Sequence, residues 1–220
     1  MKVQVLRDIL EFNDTLADQN RSMFDAKKVF VINLMSSPGA GKTTLLEQTL
    51  KEGVLRDYRV GVIEGDIQTT LDGERLEALN VPVVQINTAV ACHLDGQMIS
   101  NACTALDLDN LDILFIENVG NLVCPAEFRV GEHHKVVLLS VPEGADKPLK
   151  YPLMFHESSL LLITKTDMLP YTDISLDTVR RNAMRVNNTI DIIELSAKTG
   201  EGITHWGEWI KAKRKAHFGT

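Results

Sequence analysis

An α/β fold with a mostly parallel sheet and helices on both faces is predicted by three features of this sequence. From residue 29 onward, short β-branched runs alternate with helical segments, the order expected of parallel strands joined by crossover helices. Several of the runs, Leu160 to Ile163 among them, are apolar almost throughout, as strands covered on both faces should be. The first run leads straight into a glycine-rich turn that opens a helix, the local arrangement in which such sheets bind phosphate.

Each element has its own signal. Leu6, Ile9, Leu10, Asn13, Leu16 and Ala17 recur at three- and four-residue spacing, which predicts an amphipathic packing helix over 3 to about 24. Strands are predicted at 29–35, 59–64, 81–86, 112–117, 136–141, 160–165 and 191–195. Helical patterns fill the gaps at 43–51, 73–79, 95–106, 176–187 and 202–213. The expected organisation is an N-terminal helix, 1–28, packed on one domain, 29–220, with no internal repeat, Gly/Ser linker or low-complexity tract. The basic tail KAKRKAHFGT reads as a solvated helix end.

Composition bounds the partners. The 220 residues are 44% hydrophobic and 24% charged, and a chain of this size buries roughly 70% of its unfolded surface without needing disulfides. A net charge of −7 has the wrong sign for coating nucleic acid or an anionic membrane, so neither is expected as a partner. No run of about 18 apolar residues occurs. The first twenty residues, broken by Arg7, Asp8, Glu11, Asp14 and Asp18, offer no signal-peptide core, and the expected compartment is the cytoplasm. There, Cys92, Cys103 and Cys124 are thiols, ligands or core fillers rather than a disulfide framework.

The segment Ser36-Ser37-Pro38-Gly39-Ala40-Gly41-Lys42-Thr43-Thr44 has the form of a P-loop between strand and helix. Its small residues let backbone N–H groups curl around phosphate oxygens, Lys42 reaches the β- and γ-phosphates, and the Thr43 hydroxyl binds Mg²⁺. The strict pattern opens with Gly where this chain has Ser36. Thr164-Lys165-Thr166-Asp167, ending an apolar strand, resembles the N-K-x-D guanine box with Thr in place of Asn. A carboxylate at Asp167 accepts from guanine N1–H and the 2-amino group, donors that adenine lacks there. Lys165 lays its stem along the purine, and Ser196-Ala197-Lys198 resembles the S-A-K element whose backbone meets the guanine oxygen. Glu117-Asn118-Val119-Gly120 resembles the D-x-x-G switch with Glu for Asp. Glu117 is expected to hold Mg²⁺ and Gly120 to meet the γ-phosphate, with Asp66 the other candidate acid. Asn121 follows Gly120 where Ras-like proteins carry a water-orienting Gln, and no arginine is obviously placed as a finger, so slow GTP hydrolysis is expected.

Cys92-His93 and Cys124-Pro125 supply two thiolates and an imidazole, suited to a borderline-soft ion such as Zn²⁺ or Ni²⁺. Three ligands are one short of a tetrahedron; water, a partner group or pairing across a two-fold axis could complete it. Cys124 lies on the loop that the γ-phosphate should order, so nucleotide state could alter metal affinity. Cys103, with Ile99, Ala102 and Leu106, falls on an apolar helix stripe and reads as a buried small hydrophobe. His133 and His134 read as a polar loop pair ahead of a strand.

Together SSPGAGKTTLLE, EGDIQT, ACHLD, ENVGNLVCP, PEGADKPLKYP and TKTDMLP, from about residue 29 to 210, resemble the HypB family of hydrogenase nickel-incorporation GTPases, of the SIMIBI class of P-loop proteins. The resemblance implies nickel or zinc on Cys92, His93 and Cys124, GTP-promoted homodimerisation, and transfer of nickel toward the [NiFe]-hydrogenase large-subunit precursor with a HypA-like chaperone. Some relatives carry a Cys- or His-rich N-terminal nickel store; residues 1–30 here contain neither residue, so the metal function is expected to rest on the GTPase domain. The rival readings are a passive metal-binding module that nucleotide merely stabilises, a small-molecule P-loop kinase, and a maturation GTPase for another metalloenzyme. TKTD and SAK speak against the kinase, and ACHLD with NLVCP against the urease and cobalamin-enzyme maturation proteins.

Overall fold

The computed structural model describes residues 2–66, 71–88 and 91–219, with side chains described from Leu10 onward except at 71, 72 and 74. Ile67, Gln68 and Thr69 of the EGDIQT stretch, Met1 and Thr220 lie outside the described residues. In chain order the elements are α1 (Lys2–Lys27), β1 (Phe30–Ser36), α2 (Lys42–Lys51), β2 (Val60–Asp66), α3 (Leu71–Glu77), β3 (Val83–Asn87), α4 (Gly96–Cys103), β4 (Ile113–Glu117), α5 (Cys124–Glu127), β5 (His134–Ser140), α6 (Lys147–Lys150), α7 (Pro152–His156), β6 (Leu160–Thr164), α8 (Leu176–Val186), β7 (Asp191–Glu194) and α9 (Ile203–Phe218).

Among the described residues seven strands form one sheet, parallel throughout, in the order β3-β2-β4-β1-β5-β6-β7. Chain order reverses direction beside β1, whose neighbours are β4 and β5. Ligands of open α/β sheets bind in the crevice at the carboxyl ends of strands flanking such a switch point. Alternation along each strand sorts side chains between the two faces. On one face Ile32, Leu34, Val62, Phe115, Leu138 and Leu162 pack under α2, α3 and α9, with Trp206 fully buried among them. On the other, Val31, Ile63, Leu114 and Ile116 meet Phe24 of α1 and Ile99 and Cys103 of α4. Farther along that face Val137, Leu139, Leu161 and Ile163 are covered by α5, α7 and α8.

Helix α1 is fixed by more than Phe24. The buried Asn13 donates to the Arg129 carbonyl at 2.9 Å and accepts from Gly96 N–H at 2.8 Å; Asn20 donates to the carbonyls of Gly96 at 2.8 Å and Val130 at 3.2 Å. A Cβ at Gly96 would stand 3.0 Å from Leu16 Cβ and 3.1 Å from Ala17 N, so a side chain here would crowd α1.

Two local readings need correction. His133 and His134 are not a polar loop pair. His134 is the first residue of β5, opposite Ile32 of β1, and the His133 side chain is 1% exposed. The Phe30 ring lies 5.1 and 5.7 Å from the two imidazoles, and burial pushes both pKa values down to about 4. The expected helix at 95–106 stops at Cys103. At its other end Asp95 caps it, accepting from Met98 N–H at 2.8 Å.

Candidate nucleotide and metal site

The turn after β1 is shaped by two glycines in left-handed backbone, Gly39 (φ 77°) and Gly41 (φ 99°), where other residues would be strained. Gly41 caps the start of α2, so the N–H groups of the first helical turn point into the crevice. Buried Lys42 donates to Ser36 Oγ at 3.1 Å, and Ser36 Oγ donates to the Ser37 carbonyl at 2.6 Å. The serine that replaces the motif's opening glycine thus parks the lysine. Ser37 donates to Glu143, whose carboxylate also accepts from Ser140 N–H at 2.8 Å and Oγ at 2.6 Å. The PEGADKPLKYP segment therefore presses Glu143 on the P-loop, while Leu149 and Leu153 lie exposed beyond it.

Thr43 donates to Glu117 Oε1 at 2.8 Å. Glu64 and Glu117 stand opposite each other in the pairing of β2 with β4, both buried, with Asp66 two residues farther along the same face of β2. These three acids, with Pro38, Lys42 and Gly120, border one cavity of about 210 Å³. Clustered oxygen donors at a phosphate-binding loop are the chemistry Mg²⁺ selects, so the residues present fit that ion. Glu64 was not singled out from sequence, although the Glu64-Gly65-Asp66 run contains it; strand register supplies the missing signal. A Cβ at Gly120 would sit 2.9 Å from Pro38 Cα, so the switch segment packs directly on the P-loop. An adjoining cavity of about 250 Å³ is bordered by Thr43, Thr44 and Arg75. Arg75 pairs with Glu47 at 2.7 Å and stands 3.5 Å from Thr44 Oγ1; no sequence motif had pointed to it.

The two segments expected to read the base, Thr164–Asp167 and Ser196–Lys198, converge on a slot of about 240 Å³ walled by Ala40, Leu45, Met168, Leu195 and Ala197. Thr164 Oγ1 donates to the Ala40 carbonyl at 2.8 Å, so it ties the guanine box to the P-loop in place of asparagine. Lys165, in left-handed backbone (φ 58°), donates to the Gly39 carbonyl at 2.6 Å. Asp167 accepts from Ser196 Oγ at 2.6 Å, and the Lys198 ammonium is 3.9 Å from its other oxygen. Serine thereby fixes the carboxylate's rotation.

Cys92, His93 and Cys124 are brought together, their ligand atoms all within 4.8 Å of one another. The two sulfurs are 2.8 Å apart, and Cys92 Sγ is 3.6 Å from His93 Nδ1. The S···S distance exceeds the roughly 2.05 Å of a disulfide, so these are two separate thiols. The adjacent Cys92 thiol raises the Cys124 pKa. His93 stacks on Phe128 with ring centroids 3.9 Å apart, and burial lowers its pKa, favouring the neutral imidazole that metals require.

Residues 30–194 match the family model "CobW/HypB/UreG, nucleotide-binding domain". The hydrogenase maturation factors HypB of Azotobacter chroococcum mcd 1 and Escherichia coli K12 are each 51% identical, over 98% and 97% of this chain and 70% and 73% of their own lengths. The chain belongs to the HypB family of hydrogenase maturation factors. It is a GTPase of that family. Among solved structures, HypB from Helicobacter pylori in complex with nickel superposes with a TM-score of 0.89 at 37% identity, covering 94% of this chain and 96% of that one. HypB from Archaeoglobus fulgidus gives 0.86 at 32%, covering 93% and 99%.

This HypB-family chain carries a second His-containing cluster, Asp25, His133 and His217. Asp25 Oδ1 lies 2.9 Å from His133 Nε2 and 2.8 Å from His217 Nε2. Its chemistry is not that of a metal centre. The backbone N–H of Val31 donates to His133 Nδ1 at 2.9 Å, so the proton of this neutral ring is on Nε2 and points at the carboxylate. The cluster joins α1 to the end of α9 across β5. Cys103 is likewise inert, its thiol pushed up to about 12 by burial. Among the described residues no helix is long and apolar enough to cross a membrane.

Proposed function

We propose that this chain is a cytoplasmic, GTP-hydrolysing metallochaperone that binds nickel, or zinc in its place, through Cys92, His93 and Cys124. In this reading nucleotide state sets metal affinity and GTP favours a homodimer. Nickel is received or passed on with a HypA-like chaperone toward the [NiFe]-hydrogenase large-subunit precursor. Residues 29–220 form the GTPase domain and 1–28 the helix that braces it. One observation carries the proposal: a single segment begins at Glu117, which meets Thr43, and ends at Cys124, whose sulfur meets Cys92. The nickel-bound H. pylori relative supports the choice of ion.

The chemistry is phosphoryl transfer to water. Lys42 and the P-loop amides of Ser37 to Thr44, Pro38 excepted because it lacks an N–H, cradle the phosphates. Thr43, Asp66 and Glu117, joined by Glu64, would hold Mg²⁺, which offsets phosphate charge when bound. Asp167 reads guanine, Lys165 covers the purine face, and Ser196, Ala197 and Lys198 close its edge. The Gly120 amide meets the γ-phosphate. Asn121 is turned away from that phosphate, donating to the Cys92 carbonyl at 3.3 Å, which supports slow unassisted turnover.

The test is a nickel chloride titration of the full chain with Mg²⁺ and either GDP or a non-hydrolysable GTP analogue, followed by light scattering for mass. Affinity and mass should both depend on the nucleotide. Cys92→Ala or Cys124→Ala should abolish stoichiometric nickel binding while GTP hydrolysis remains measurable; stoichiometric binding in either variant would show that other ligands hold the ion.

A further inference from the structure

The switch strand ends in residues that face two different sites. Successive side chains of a strand point to opposite faces, so Glu117 turns to the P-loop and Asn118 to the loop carrying Cys92 and His93. The Asn118 carboxamide is 1% exposed. Its Oδ1 accepts from Leu94 N–H at 3.1 Å and from Val119 N–H at 3.0 Å, and its Nδ2 donates to Asn33 Oδ1 at 3.2 Å. Two backbone donors on one oxygen fix which end of the amide is which. Leu94 directly follows His93. The pattern repeats three residues on: Gly120 packs on Pro38, while Asn121 donates to the Cys92 carbonyl at 3.3 Å and accepts from Val123 N–H, next to Cys124, at 2.8 Å. Positions 117 and 120 thus meet the P-loop, and 118 and 121 meet both arms of the thiol–imidazole cluster.

The Cys92–His93 loop has a held end as well. Two residues past Leu94, Gly96 is gripped by Asn13 and Asn20 of α1. A loop fixed at one end and hydrogen-bonded to the switch at the other would follow a displacement of the switch.

We propose that Asn118 and Asn121 are positioning residues that transmit the nucleotide state to the transition-metal ligands, by carrying the Leu94 amide and the Cys92 carbonyl with the 117–121 segment. This rests on the reading that Cys92, His93 and Cys124 hold the ion and that the segment responds to the terminal phosphate. Coupling then runs through backbone hydrogen bonds to the Cys92–Leu94 segment, in addition to the covalent link to Cys124. Removing either carboxamide weakens the coupling between the two sites.

The test uses the full chain with Mg²⁺, nickel chloride as the metal, and the ratio of nickel Kd values with GDP and with a non-hydrolysable GTP analogue. In the unsubstituted protein the ratio should differ from one by at least about fivefold, the lower end of ordinary coupling. In Asn121→Ala, and in Asn118→Ala, it should move toward one by at least about twofold, a sizeable part of that ordinary coupling. Asn121→Asp, which keeps the acceptor for Val123 but loses the donor to Cys92, should behave like Asn121→Ala. The ratio is the decisive readout, because a merely structural lesion weakens nickel binding by the same factor in both nucleotide states and leaves the ratio unchanged. An unchanged ratio in the variants overturns the inference alone. A ratio of one in the unsubstituted protein overturns both it and the nucleotide gating it rests on. If Asn118→Ala fails to fold, the half-exposed Asn121 carries the decision.

Discussion

Asp167→Asn is the sharpest test of the base-reading assignment, because the structure defines what the change removes. Asp167 keeps one oxygen on the Ser196 hydroxyl at 2.6 Å, and the serine therefore holds the carboxylate edge toward the slot. Guanine offers that edge two donors, N1–H and the 2-amino group. Hydrogen bonds to a charged acceptor contribute about 1.5–3 kcal/mol each; asparagine keeps a neutral oxygen for N1–H and loses the bond to the 2-amino group, which together costs about 2.5–4.5 kcal/mol, or roughly 10²- to 10³-fold in affinity. An asparagine whose amide turns its NH₂ toward the base suits xanthine, which presents an acceptor where guanine has its amino group. The assay is calorimetric titration of the variant and the unsubstituted protein with GDP and with xanthosine diphosphate. The variant should lose GDP affinity by at least about a hundredfold and prefer xanthosine diphosphate. Undiminished GDP preference in a variant that unfolds at the usual temperature would refute the assignment, and the neighbouring Ser196 and Lys198 would lose their stated roles with it.

Gly120→Ala should cost about 1–3 kcal/mol of stability through overpacking, since its Cβ would meet Pro38 Cα, a backbone atom, at 2.9 Å. Affinity for a GTP analogue should fall more than affinity for GDP; equal losses would place Gly120 away from the terminal phosphate. Stability should also decline on acidification. His133 and His134 have folded-state pKa values of about 4 against an ordinary 6.5, so between those limits the unfolded chain binds protons that the folded one excludes. Stability is therefore fully present above about pH 6.5 and lost as pH falls toward 4, on the order of 3 kcal/mol for His133 alone. Urea titrations at pH 7.5 and 5 read this loss, and His133→Asn, which keeps an acceptor for Val31 N–H, should flatten the slope; a slope unaltered by that substitution would assign the pH dependence elsewhere.

The seven strands were legible because parallel strands covered on both faces must be apolar along their length, and Leu160 to Thr164 or Ile113 to Glu117 admit no other reading. The P-loop was legible because phosphate demands small residues and a lysine at fixed spacing between strand and helix, and the same kind of spacing is what puts forward TKTD and ENVG as the guanine box and switch. What stayed hidden depends on partners distant in sequence. Glu64 becomes a candidate ligand only once the register sets it beside Glu117. His133 and His134 look polar in isolation, and it is the distant Phe30, Trp209 and His217 that pack on them. Asn118 is one polar residue among ENVGN until Leu94 and Asn33 close around it. The short helices α5, α6 and α7 each carry proline in the first turn and are too brief to produce a periodic pattern.

The asparagines of α1 bear on how this molecule should be dissected. Asn13 and Asn20 reach Gly96 on one side and Arg129 and Val130 on the other, the stretches just downstream of the two cysteine-bearing turns. A truncated form starting near Val29 would retain every residue of the nucleotide cradle and yet have unbraced sulfurs. Catalytic competence in such a fragment would therefore be a poor surrogate for its capacity to carry cargo.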